Sequence, residues 1–319
     1  MKNFFHEYSE KMWYIQEIIL EYLEKSENQE LIFQNFIKYL EDQKILEDQY
    51  DTLEILNMLL KISNNHHRTM NFFSKIERIL KLFQTTLQKF SYYSIFNIFK
   101  SNKRILLFLF KEKILIPDKS IYKIITKRKY ISMNYPKYFF IEFKPFFNTE
   151  KVQELDSKII QNDLELFKQK RKIGENDSFL CSLIQKDSID EFVTFSTKTN
   201  LKFSTTTIEN SIYETNSFLL KNKRSTLIEY AAFFGSIQIF KFLRMNGVKL
   251  TSSLWLYAIH SNSAELIHIL EENHVEMEDK SYQLYFIEAI KCHHIDISNY
   301  IKNNFLNEKF NFELNCLKY

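Results

Sequence analysis

Glycine and proline each occur only three times in 319 residues, about 1% apiece where ordinary chains carry roughly 7% and 5%. Both residues punctuate tight turns and strand ends. Their scarcity excludes a sheet rich in short hairpins and points to helices joined by polar turns. It also excludes a glycine-rich phosphate loop, which Gly174, Gly235 and Gly247 are too scattered to build. Cysteine is equally scarce: Cys181, Cys292 and Cys316 are odd in number and lack paired spacing, which excludes a disulfide framework and fits a reducing interior. The longest strongly apolar run is ILLFLF at Ile105–Phe110, far short of the about 20 residues that cross a bilayer. The opening MKNFFHEYSEKMWY is broken by charges and has no signal-peptide core. Neither sign of charge dominates, with 43 basic against 40 acidic residues and a net +3. That balance lacks the basic field of a dedicated nucleic-acid binder. The expectation is a cytoplasmic protein without a membrane span, the nucleus left open as its address.

What the chain does have is apolar surface at helical spacing. Phe and Tyr number 31 and 18, large rings suited to helix packing. Ile15, Ile18, Ile19, Tyr22 and Leu23 form one stripe, Phe33, Phe36, Ile37 and Leu40 a second, and Leu53, Leu56, Leu59 and Leu60 a third. Steps of three and four put each set on one helical face. The polar breaks SENQE, EDQKILEDQ and SNNHHRT separate them, which predicts antiparallel neighbours. Pro117, Pro136 and Pro145 cluster around MNYPKYFFIEFKPFFNTE. Residues before proline leave the helical region, so this segment reads as an irregular connector. It divides the chain into a helical region, 1–147, and a second region, 148–319, opening with a helix over Glu150–Lys168. Thr197–Thr207 reads as loop, and the basic clusters at Thr126–Lys129, Lys168–Lys172 and Lys221–Arg224 read as solvated loops because acidic residues interleave them.

The second region repeats. Ala231-Ala232-Phe233-Phe234-Gly235-Ser236 leads to Ile239, Phe240 and Leu243, then Gly247-Val248. Ala258-Ile259-His260-Ser261-Asn262-Ser263 leads to Leu266, Ile267 and Leu270, then His274-Val275. Ala289-Ile290-Lys291-Cys292-His293-His294 leads to Ile297 and Ile301, and a fainter copy runs upstream from Leu183 through Asp187 to Phe192. From alanine to alanine the steps are roughly 27 and 31 residues, within the range of stacked repeats. Each unit reads as two helices. The small residue lets a neighbouring helix approach, and Asp187, Gly235, Asn262 or His293 makes a left-handed turn between the pair. Gly247 falls where the second helix ends, a usual left-handed cap. The fold class this predicts is all-α, a helical-repeat solenoid of degenerate helix pairs.

The stretch STLIEYAAFFGSIQIFKFLRMNGVKL resembles an ankyrin repeat, with Thr226, Ile228, Ala231-Ala232, Gly235, Phe240, Leu243 and Gly247 at the positions of its signature. The proline of that signature is missing, the spacing is shorter than usual and later glycines are replaced, so a full β-hairpin finger per unit is not expected. Over nearly the whole chain, the same run with SNNHHRT, FNIFKSNKRILLFL, KRKIGEND, SIYETNSFLLKN and SLWLYAIHSN resembles a large trichomonad family of ankyrin-repeat-like proteins with a domain of unknown function. The resemblance implies non-catalytic binding of an unknown protein partner. Carried over, the contact positions between the small pair and the turn residue are Phe233 and Phe234, His260 and Ser261, and Lys291 and Cys292.

Other chemistry leaves weaker signals in the sequence. Cys292, His293 and His294 are consecutive and His66-His67 is a second pair, but consecutive residues point apart and neither group has a second half at zinc-ligand spacing. The expectation is therefore no metal and no cofactor. Cys181 sits among Phe179, Leu180, Leu183 and Ile184 and reads as a buried cysteine. No catalytic motif stands out, and an enzyme is not expected. A helical nucleic-acid binder that stacks bases on aromatics is the main alternative, and a metal- or cysteine-dependent enzyme the weaker one.

Overall fold

A computed structural model describes residues 2–160, 163–222, 224–278 and 282–306. Cys316 and Lys223, both noted in the sequence, lie outside these. The described residues are all-helical: no strand forms among them, and Thr207 and Thr226 make one isolated antiparallel bridge. Two compact units are present, Met1–Asn64 with Arg68–Asn162, and Asn65–His67 with Asp163–Tyr319.

The first unit is built on the expected stripes. Helices Lys2–Glu24, Gln29–Asp42 and Gln49–Asn65 follow one another, and they bury Ile15, Ile19, Leu23, Phe33, Phe36, Leu40, Leu56 and Leu59. The run ILLFLF lies in helix Lys103–Lys111, started by Asn102, whose side chain accepts the Ile105 N–H. This helix is buried in the unit's own core.

The proline segment departs from expectation. Tyr135–Tyr138 and Phe140–Phe143 are short helices, and Tyr135, Tyr138, Phe139, Phe140 and Phe143 are buried. Phe110 meets Phe139 and Phe143 edge-on at 5.5 and 5.6 Å. Pro136 sits in a first helical turn, where its missing N–H costs nothing. What reads as a connector is core, so the compact unit runs on past residue 147 to Asn162. The helix expected over Glu150–Lys168 is two: Thr149–Leu155 continues as a π turn over Asp156–Ile160, and Leu164–Ile173 starts anew where the Asp163 carboxylate accepts the Leu166 N–H. Thr197–Thr199 end a helix, and the loop expected from Thr197 begins instead at Asn200, in the left-handed region.

The second unit contains four helix pairs among its described residues. The leading helices are Phe179–Gln185, Leu227–Phe234, Leu254–Ser261 and Gln283–Lys291, and the trailing ones Ile189–Thr199, Ile237–Met245, Ala264–Glu272 and Ile295–Phe305. The residue between each pair has positive φ: Asp187 at 50°, Gly235 at 67°, Asn262 at 55° and His293 at 59°. In each, its N–H bonds back three residues, to Ile184, Ala232, Ile259 and Ile290 respectively. Asn200, Gly247 and His274 repeat the left-handed turn at the ends of trailing helices, and the next N–H closes on Ser196, Leu243 and Leu270. These turns were legible because glycine, asparagine and, less often, aspartate and histidine tolerate this backbone. Successive leading helices pack on one another, with Ala231, Ala258 and Ala289 wholly buried at the approach.

Candidate functional site

The six carried-over positions lie at the C-terminal ends of the leading helices, and the structure divides them. Phe233 is buried, its ring parallel to Phe218 at 5.8 Å and 5.5 Å from the His260 ring. His260 and Cys292 are also buried. A partner meeting this edge would therefore touch Phe234, Ser261 and Lys291, which are half-buried, and not the other three. Phe234 packs on Tyr230 at 4.8 Å, and the Ser261 hydroxyl donates to the Ala258 carbonyl at 2.9 Å. Phe218 covers Phe233 from helix Ser217–Lys221, outside the repeated pattern. It also lies 4.0 Å from the His260 ring and 4.9 Å from Tyr257. The sequence offered no sign of that lid.

Three of the six converge through Glu288. Its carboxylate lies 3.0 Å from His260 Nε2 and 3.1 Å from Lys291 Nζ, and Cys292 Sγ lies 3.5 Å from His260 Nδ1. Burial raises the Glu288 carboxyl, but the His260 hydrogen bond and charge, with Lys291, outweigh it and bring it to about 2. Thiol, imidazole and carboxylate follow the order of nucleophile, base and orienting group. Burial and the Glu288 charge, however, push the Cys292 thiol well above the usual range, and its sulfur has no exposed surface. Cys181 is likewise buried, and burial pushes its thiol to about 11. Neither is a thiolate at neutral pH, the form a nucleophile requires.

A second cluster joins the two histidine groups that sequence spacing left apart. Asn65–His67 pack within the second unit. His66 Nδ1 lies 2.9 Å from the Cys292 carbonyl, His294 Nδ1 lies 2.7 Å from the Ile259 carbonyl, and His67 Nδ1 lies 3.0 Å from His294 Nε2. Carbonyls only accept, so His66 and His294 each carry their proton on Nδ1. Burial, then the nearby His66 and His67, lower His294 to about 2 and hold its ring neutral. One ring nitrogen from each of His66, His67 and His294 lies within 4.8 Å of the others, as do the ligand atoms of His260, Glu288 and Cys292. Cys292 and His294 do enter different clusters, but consecutive His66 and His67 do not point apart: their rings lie 4.3 Å from each other in one trio, and its third member comes from a segment distant in the chain.

No protein-family model matches the chain, and no curated protein or solved structure matches it. Among the described residues no helix is long and apolar enough to cross a membrane.

Proposed function

We propose that the second unit is a degenerate ankyrin-like solenoid acting as a non-catalytic protein-binding module, in a chain of the trichomonad ankyrin-repeat-like kind. The observation that carries this reading is the recurrence of one left-handed turn at Asp187, Gly235, Asn262 and His293, with buried alanines where successive leading helices meet. Stacked helix pairs bury their core between neighbours and offer one extended edge. Phe234 and Ser261 occupy matching places along it, and Lys291 lies one position earlier in its own unit. The absence of hairpin strands among the described residues leaves this edge to the helix ends. Free, buried Cys181 and Cys292 accord with a cytoplasmic setting.

The test compares the native chain with Phe234→Ser/Lys291→Gln, first in capture from the source cell and then with each purified candidate partner. A direct partner whose binding weakens at least tenfold in the variant, with the melting temperature unchanged, supports the reading, because hot-spot truncations cost about 2 kcal/mol or more. Binding that the variant leaves intact moves the interface elsewhere. Salt-sensitive oligonucleotide binding by the native chain would favour the nucleic-acid alternative.

A further inference from the structure

We propose that His66, His67 and His294 form a binding site for a borderline-soft divalent metal ion of the zinc type. The three rings converge, with one nitrogen of each within 4.8 Å of the others. Ring centroids lie 4.3 Å apart for His66 and His67, 5.2 Å for His66 and His294, and 5.1 Å for His67 and His294.

The outer bonds select the nitrogens. With Nδ1–H of His294 given to the Ile259 carbonyl and Nδ1–H of His66 given to the Cys292 carbonyl, the ring lone pair of each is on Nε2. A ring N–H donated to a backbone carbonyl is the usual support of a metal-bound histidine, fixing both tautomer and orientation. His67 completes the set. Its Nδ1–H points at His294 Nε2 over 3.0 Å, and a metal would take that proton's place. The proton moves to His67 Nε2, the ring stays neutral, and no net proton is released. Two nitrogens at 2.0–2.1 Å from a tetrahedral zinc are about 3.3 Å apart, so the pair must part by only a few tenths of an ångström.

The donor set selects the ion. Three neutral imidazoles suit zinc, cobalt, nickel or copper, whereas magnesium and calcium demand oxygen ligands, which this trio does not supply. The fourth position would fall to water or a small anion. The neighbouring trio of His260, Glu288 and Cys292 is the weaker candidate, because the two ring nitrogens of His260, on different edges of the ring, already face Glu288 and Cys292 separately. Bound metal at the histidines would fasten Asn65–His67 to the turn at Cys292–His294 within the second unit. This inference does not depend on the protein-binding reading.

The experiment uses the untagged full chain, stripped with chelator and titrated with cobalt(II), then with zinc in competition. The expected result is one cobalt per chain with visible bands of tetrahedral intensity, no thiolate-to-cobalt charge-transfer band, and displacement by zinc. His67→Gln, at the half-buried ligand, should weaken binding at least tenfold and abolish the rise in melting temperature that zinc gives the native chain. Failure of the folded native chain to retain cobalt at micromolar concentration overturns the proposal, whatever the variants do. Binding that His67→Gln leaves unchanged also overturns it. So does a thiolate band lost in Cys292→Ser, which would put the ion in the other trio.

Discussion

The Asp187 carboxylate accepts the backbone N–H groups of Gln238 and Ile239 at 3.0 and 2.9 Å. Asp187 is the turn residue of one helix pair, and Gln238 and Ile239 open the trailing helix of the next. A residue that tolerates the left-handed backbone less well than glycine thus supplies the cap that Ser236, at the N-cap position, does not make with its own side chain. The Ser236 hydroxyl is instead spent on the Ile184 carbonyl.

Two effects oppose each other at this position, and two substitutions separate them. Asp187→Ala loses a cap worth about 1 kcal/mol and keeps a Cβ in a left-handed turn that costs about 1–2 kcal/mol without a polar side chain. Asp187→Gly loses the same cap but relieves the backbone. Urea unfolding should show Ala destabilised by about 1–2 kcal/mol and Gly within about 1 kcal/mol of the native chain. Equal losses for Ala and Gly would mean that the left-handed turn contributes nothing.

Ala258 is fully buried where helix Leu254–Ser261 packs against its neighbours. Ala258→Leu adds methylenes to a space sized for a methyl, which forces the helices apart or the side chain off its rotamer, at about 1–3 kcal/mol. Ala264, exposed at the start of a trailing helix, is the control: Ala264→Leu should stay within about 0.5 kcal/mol. Thermal melts of the two variants should diverge accordingly; if they coincide, close helix approach does not explain the repeated alanine.

The turns were readable because a few residue types accept positive φ, and they recur at a fixed offset: Asp187, Gly235, Asn262, His293. Burial of Phe233 was not, because an aromatic near a helix end has the same local pattern whether it faces water or a lid, and Phe218 lies outside the repeat. Nor could the histidine cluster be read, since His67 and His294 stand 227 residues apart and ligand-spacing rules look only along the chain. The proline segment misled for another reason. Helices as short as Tyr135–Tyr138 leave no periodicity to find, so burial of their aromatics is decided by packing alone.

In the first unit, Lys75 is buried and gives its ammonium to the Leu23 and Lys25 carbonyls at 2.8 and 3.3 Å. It thereby satisfies carbonyls left over at the end of helix Lys2–Glu24, where a cation also suits the helix dipole. Burial lowers its pKa. Thr69 also donates to Leu23 and Gln29 Nε2 to the Lys25 carbonyl, each at 2.7 Å, so Lys75→Met strands neither carbonyl but removes a charged donor from both. The expected loss is about 1–2 kcal/mol, against no more than about 0.5 kcal/mol for exposed Lys38→Met. Denaturant midpoints of the two variants decide it, and equal midpoints would remove Lys75 as a cap.

The Glu288 pair with His260 makes stability depend on acid. Burial opposes the Glu288 charge, yet the hydrogen bond and charge of His260, with Lys291, hold its carboxyl at about 2, below its ordinary 4.5. The folded protein therefore resists a proton that the unfolded chain takes up near 4.5. The stability this contributes is complete above that value and disappears as the pH falls from 4.5 towards 2. Glu288→Gln keeps an acceptor for the buried imidazole but removes the carboxylate charge, and should cost about 3 kcal/mol at neutral pH, with the gap to the native chain constant down to about pH 5 and closing below it. Lys291→Met removes the more exposed partner, 26% accessible, and should cost under about 1 kcal/mol. Urea unfolding of the three chains from about pH 7 to about pH 3 reads both effects. A gap that stays constant throughout that range would mean that the Glu288 carboxylate is not held by His260, and that the variant loses packing rather than charge.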